Sequence, residues 1–440
     1  MKKQADLVLK NGAIYTADAD DNVYEALAVG DNEIIFVGTA TEAETFIGEE
    51  TEVIDLGGKM VIPGMTGSHI HPPGLALHSL YEVQLDDVQT VGGWVGKVRD
   101  FVTANPGKPV YGRGWSWAVL RGEEAERGPR KEYLDAVATD VPVILRSSDG
   151  HTLWVNSFAL AQNGINKATP EPEGGSIMKD PLTGELWGTF KESAMRFLPL
   201  ARYTLEQYYD AMLLFQEKMH SLGITAILSF SSMMFEDLFQ VMTRMEREGR
   251  LKLHVRGAMT FSPKEELATQ TAMIEEARKR YKTDLIGVTT VKFFADGVVE
   301  GGTSCLFEPY EAGLGLGKPE DYCGDFLWDK DEMAAAFQAV NERGLQIHVH
   351  STGDRATAYT LDALEKSGMK VQGEDCRNTI THLQLVAPQD IKRFKELKVI
   401  ANVQPYWHFK GADWWAAVDK KFLGERAERE FPLASFFREG

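Results

Sequence analysis

Cysteine is scarce: Cys305, Cys323 and Cys376 are the only three in 440 residues, and none forms a C-x-x-C pair. That excludes a disulfide framework and points to a reducing compartment. Long apolar runs are missing as well. No segment approaches the roughly 20 consecutive apolar residues of a membrane span. The start, MKKQADLVLKNGAIYT, is interrupted by Asp6 and Lys10 and carries no small-residue cleavage site, so no signal peptide is expected and the protein reads as cytoplasmic. Positive charge is outnumbered, with 47 Lys and Arg against 65 Asp and Glu, a formal net charge of −18. That balance disfavours a nucleic-acid backbone or an anionic membrane as partner and leaves a small-molecule substrate. A homo-oligomer is compatible with the sequence. Solenoid repeats and low-complexity tails are also lacking.

What is present is ordinary globular material, 43% hydrophobic and 25% charged, enough for a large buried core. Residues 1 to about 60 read as short strands: DLVLKNGAIYT breaks at the hairpin dipeptide Asn11-Gly12, and EALAVGDNEIIFVG repeats the pattern. This predicts a small β-domain. From residue 61 to 440 the texture becomes strand then helix. Apolar runs at 61–66, 224–230, 251–259, 288–297, 345–350, 379–386 and 399–405 fit buried parallel strands. Helical patterns lie between them, at 204–223 with a terminal Gly223 and at 329–344 with acids first and Arg343-Gly344 last. Seven such strands predict an α/β fold of the eight-stranded (β/α) TIM-barrel type.

Residues 72 to about 203 break that rhythm and read as a subdomain inserted between barrel strands 1 and 2. An insertion there lies on the face where barrel active sites sit, so it is expected to serve as a lid.

Four of the ten histidines, His69, His71, His350 and His382, fall at the C-terminal ends of predicted barrel strands. With one residue between them, His69 and His71 project to the same side of an extended strand and can grip one metal ion. Lys292 lies inside the apolar run VKFFADG, where a bare ammonium is costly. It either pairs with an acid such as Asp296 or reacts with carbon dioxide to give a metal-bridging carbamate. His348 and His350 repeat the one-residue spacing. Only one need be a ligand, and His350 is the choice because it lies nearer the rim, with His348 open as a core or supporting residue.

Softer signals follow. His151 in SSDGHTLWVNS could reach the cleft as a catalytic group or hold its own loop. Trp115 and Trp117 of GWSW, and the tryptophans of DWW (413–415), could line a substrate pocket or pack a core. The acid runs at 123–126 and 425–430 read as solvated helix faces. Cys305 has no evident base partner and is not expected to be a nucleophile.

In order along the chain, VIPGMTGSHIHP, GWSW, SSDGHTLWVNSFAL, VKFFADG, HVHSTGDRA, THLQLV and NVQP resemble the amidohydrolase superfamily, and within it the amidohydrolase-3 group of YtcJ-like proteins and N-substituted formamide deformylases. The resemblance implies a distorted barrel with a small β-sandwich. It also implies two divalent metal ions, zinc expected, one held by His69 and His71 and the other by His350 and His382, with carbamylated Lys292 between them. A metal-activated hydroxide would then hydrolyse a C–N bond outside a peptide backbone, as in an N-substituted amide or formamide.

Two departures accompany it. Gly67 stands where the family usually has an aspartate. The family's general base, an aspartate ending strand eight, follows a segment like FPLASFFREG, where this sequence stops, so a barrel lacking strand eight is expected. A catalytically silent barrel acting as a binding or regulatory protein is the alternative.

Overall fold

The computed structural model describes residues 4–230, 235–314, 318–368 and 375–439. The chain divides into two units: residues 1–68 with 219–227, and 69–218 with 228–440.

In the smaller unit, two short sheets form. One has the spatial order 33–38, 26–30, 7–10, 52–55, and the other 23–24, 13–15, 60–61. Asn11, at the turn read from sequence, takes a positive φ of 59°. Ala5, Val8, Ala26, Ala28 and Ala43 are the buried core of this unit, small residues over which Phe36 and Phe46 pack.

A seven-stranded sheet carries the site. We label its strands β1 (Met65–Ile70), β2 (Ile224–Ser229), β3 (His254–Thr260), β4 (Ile286–Phe294), β5 (Gln346–Ser351), β6 (Thr379–His382) and β7 (Ile400–Val403). Their order is sequential from β1 to β7, and β3 to β7 are parallel neighbours. This is a nearly closed TIM-type barrel of seven strands among the described residues. The run predicted at 61–66 is split. Pro63 and Gly64 part a short strand, Met60–Val61, from β1, because proline has no N–H for a ladder. His69 thus sits inside β1 and His71 just past its end.

Register sets the site. Lys292 lies between Thr260 and His348, Phe294 beside His350, and Ser351 beside His382. β6 is shorter than its apolar run because His382 and Leu383 turn to positive φ, 76° and 55°. The helix Lys330–Asn341 begins where the Asp329 carboxylate accepts from the backbone N–H groups of Asp331 (2.8 Å) and Glu332 (3.1 Å), satisfying donors that the helix leaves free. Gly344, at φ 66°, follows its end.

The insertion between β1 and β2 builds a six-stranded mixed sheet of order 175–179, 186–192, 152–155, 143–147, 110–115, 83–84. It has its own apolar core, with Trp94, Trp115 and Trp154 fully buried.

Candidate metal centre

Five imidazoles gather at the C-terminal ends of β1, β5 and β6. Ring centroids are 5.1 Å apart for His69 and His71, 5.0 Å for His69 and His348, 5.0 Å for His69 and His382, and 4.6 Å for His350 and His382. Loss of solvent lowers the proton affinity of each, taking His350 to about 4 and His382 to about 2, with His69, His71 and His348 also depressed. All five rings are therefore neutral at neutral pH, the form in which imidazole binds a metal.

Their tautomers follow from their partners, because a carbonyl oxygen can only accept. His71 Nδ1 donates to the carbonyl of Phe230 (2.6 Å), His350 Nε2 to that of Gly297 (2.8 Å), and His382 Nδ1 to the Gln404 Oε1 (3.1 Å). Gln404 is oriented for this because its Nε2 donates to Thr381 Oγ1 (3.1 Å). Three bare nitrogens result: His71 Nε2, His350 Nδ1 and His382 Nε2. A ring fixed by donating one N–H to a carbonyl is the usual support of a metal-binding histidine.

His69 lies between two partners, His71 Nε2 at 3.2 Å from its Nε2 and His348 Nε2 at 3.0 Å from its Nδ1. If His69 donates from Nδ1 to His348, the bare Nε2 atoms of His69 and His71 stand side by side. Two imidazoles on one tetrahedral ion, with bonds near 2.0–2.1 Å, hold their nitrogens about 3.3 Å apart. His348 Nδ1 is buried without a hydrogen-bond partner. Among the described residues no three His, Cys, Asp or Glu side chains are grouped to hold one ion. The donors come instead as two pairs, His69 with His71 and His350 with His382, and neutral imidazole is a donor that suits a divalent metal ion.

Lys292 is 3% exposed, and burial drives its amine down to about 7. Its Nζ lies 5.2 Å from the ring of Phe230 and 5.1 Å from that of Phe294. Near neutral pH a large share of it is the uncharged, nucleophilic amine.

Asp296 does not serve as counter-ion in the way weighed from the sequence. Its carboxylate accepts from the backbone N–H of Cys305 (2.9 Å), Thr352 (3.0 Å) and Gly353 (2.8 Å), tying the loop after β4 to the end of β5. Burial nevertheless raises it to about 7. Cys305 is fully buried, and Arg355 Nε donates to its Sγ at 3.1 Å. Burial pushes its thiol up, as expected of a non-nucleophile.

The other sequence candidates lie elsewhere. His151 is exposed in the insertion, its Nδ1 3.2 Å from Glu192 and its backbone N–H on Asp149 (2.9 Å). Trp115 is a core residue that donates its indole N–H to the Leu145 carbonyl (3.1 Å), and Trp117 packs on it, 5.3 Å between ring centroids, under the ammonium of Lys191. None of the three lines the cavity that opens beside His350. That cavity, about 580 Å³, is bounded by His350, Thr352, Gln384, Trp407, Trp414 and Asp419 among others. Trp407 stacks on His382, centroids 5.1 Å apart and planes within 12°. Of the DWW tryptophans, Trp414 faces the cavity, whereas Trp415 donates to the Ala427 carbonyl (3.2 Å).

Residues 425–430 are not uniformly a solvated face, because Glu430 is 3% exposed. Gln384 Nε2 donates to Glu430 Oε1 (2.6 Å) and, at 3.4 Å, to Asp419 Oδ1. Burial and Asp419 raise Glu430 to about 8, and burial and Glu300 raise Asp419 to about 6. A carboxyl raised on folding makes the native state bind more protons than the unfolded one. Stability is therefore lost as pH rises from the ordinary 4.5 of Glu430 through about 8. Glu430→Gln should match the wild type in unfolding at about pH 5 and exceed it by on the order of 2 kcal/mol above about pH 8. Equal stabilities at both pH values would contradict the burial argument.

In class, this is a TIM-type barrel protein with a histidine-lined site at the C-terminal ends of its strands. A sequence profile of the Amidohydrolase family matches residues 52–435, and the chain belongs to that family. The N-substituted formamide deformylase of Arthrobacter pascens is 25% identical over 458 residues, covering 100% of this chain and 80% of that protein. The exoenzymes regulatory protein AepA of Pectobacterium carotovorum is 27% identical over 413 residues, covering 92% of this chain and 86% of its own. A crystal structure of an uncharacterized metal-dependent hydrolase from Pyrococcus furiosus superposes with a TM-score of 0.74 at 26% identity, covering 98% of this chain and 83% of that one.

Proposed function

We propose that this protein is a metal-dependent hydrolase of a non-peptide C–N bond in a small N-substituted amide or formamide, working in the cytoplasm. The observation that carries the reading is the set of three imidazoles, His71, His350 and His382, each donating one N–H to a carbonyl and keeping its other nitrogen bare around one buried amine. His69 and His71 would hold one divalent ion, His350 and His382 a second, zinc by donor type, with Lys292 between them. Such ions, when bound, supply Lewis acidity and an acidified water for attack on the amide carbon.

The chain's own residues prepare that site. The neutral Lys292 amine attacks carbon dioxide, a C–N bond forms, one proton passes to solvent, and the resulting carbamate is an anionic oxygen donor where only an amine stood. Phe230, Gly297 and Gln404 hold the imidazoles in orientation. The walls of Phe230 and Phe294 around Lys292 keep solvent off the amine. Net hydrolysis of a formamide consumes one water and releases formate and the amine.

Elemental analysis of protein purified without chelators should give about two zinc ions per chain at neutral pH, falling as the pH drops and the imidazoles protonate. Less than about a tenth of an ion per folded chain would overturn the reading. A second reading, a barrel that binds without turnover, is favoured by the regulatory name of the Pectobacterium relative. It predicts metal without hydrolysis of any formamide or amide in a substrate screen.

A further inference from the structure

Resting on the hydrolase reading, we propose that the cavity beside His350 receives a cationic part of the substrate, an alkylated or protonated amine, through aromatic faces backed by carboxylates. The cavity touches the candidate metal ligand His350, so its occupant lies next to the reacting group. Its walls are unusually rich in bare rings. Tyr406 is 89% exposed, Phe409 80%, Trp414 56% and Trp407 49%. Exposed apolar surface of that extent marks a binding surface.

Charge decides what kind. Glu300 and Asp419 line the cavity, and no lysine or arginine does so among the described residues. The nearby cations are engaged elsewhere: Lys410 and Lys420 pair with Glu428 at 3.0 and 3.2 Å and lie over Trp415. Asp419 is 3% exposed, and its hydrogen bond from Gln384 is long. Behind it, Glu430 Oε2 is buried with no hydrogen-bond partner. Glu300 and Asp419 are thus the carboxylates on the cavity wall that a cation held among the rings would meet. Aromatic faces attract a cation through their quadrupole, and alkyl groups on nitrogen add apolar contact with the same rings.

The test uses choline as the probe and its uncharged isostere 3,3-dimethyl-1-butanol as control, by calorimetric titration of the purified, metal-loaded protein. Choline should bind at least about tenfold more tightly than the alcohol, which matches about 1.4 kcal/mol of charge-dependent attraction. Trp414→Leu and Asp419→Asn should each weaken choline about fivefold or more and leave the alcohol unchanged, and Trp414→Tyr should restore choline binding. Trp414 is exposed, so its variants should fold. Equal affinity for the two probes, or choline binding indifferent to both substitutions, overturns the proposal. Binding is read without turnover: selective choline binding in a protein that hydrolyses nothing would refute the hydrolase reading and leave the cation site standing.

Discussion

Lys292→Ala is expected to reduce hydrolysis by on the order of 10³-fold, the scale lost when a charge-stabilising group is removed from a water-poor site. On the proposed reading, in which a Lys292 carbamate is the donor between the two imidazole pairs, metal content should fall with it. The fold should survive: the amine is 3% exposed with its proton affinity lowered by burial, so alanine removes a group that folding disfavours in its charged form. Lys292→Glu separates the roles. A carboxylate there can replace the carbamate as an oxygen donor, so this variant should retain more metal than Lys292→Ala. Elemental analysis and formamide turnover on the three proteins decide the matter, and full activity in Lys292→Ala would remove the carbamate from the mechanism.

Gly353→Ala is the second large effect, and here the cause is space. A Cβ on Gly353 would lie 2.0 Å from the carbonyl oxygen of Cys305 and 2.6 Å from its carbonyl carbon, both backbone atoms. Either Cys305 or the turn after β5 must move, and both donate to Asp296. Overpacking typically costs about 1–3 kcal/mol, and weakening hydrogen bonds to a buried carboxylate adds about 1–3 kcal/mol. A loss of roughly 3 kcal/mol or more is expected in denaturant unfolding. A loss under about 1 kcal/mol would mean that the loop carrying Cys305 yields freely. The substitution should also impair the site, because Gly297, which orients His350, lies in the same loop.

The histidines and Lys292 were legible in the sequence because strand ends converge by topology: a residue placed at the end of β1, β4, β5 or β6 reaches the same mouth. What orients them was not. Phe230 and Gly297 act through backbone carbonyls, and any side chain at those positions carries one. Gln404 stood in the motif NVQP without a visible partner. His348 contacts His69, a pairing across the barrel that strand spacing cannot supply. Trp115 and Trp117 read as pocket residues because the six-stranded insertion that absorbs Trp115 has no simple strand-helix rhythm. Glu430 read as solvated by its acidic neighbours, yet Gln384, 46 residues away, draws it inside.

His382 has one more consequence. Its φ of 76° is a conformation that glycine adopts freely and histidine only at a cost of about 1–3 kcal/mol. Selection for heat resistance alone would therefore welcome the loss of its side chain. On the proposed reading, in which His382 is a metal ligand, selection for catalysis would forbid it, and position 382 is then a place where robustness and usefulness pull the same codon in opposite directions.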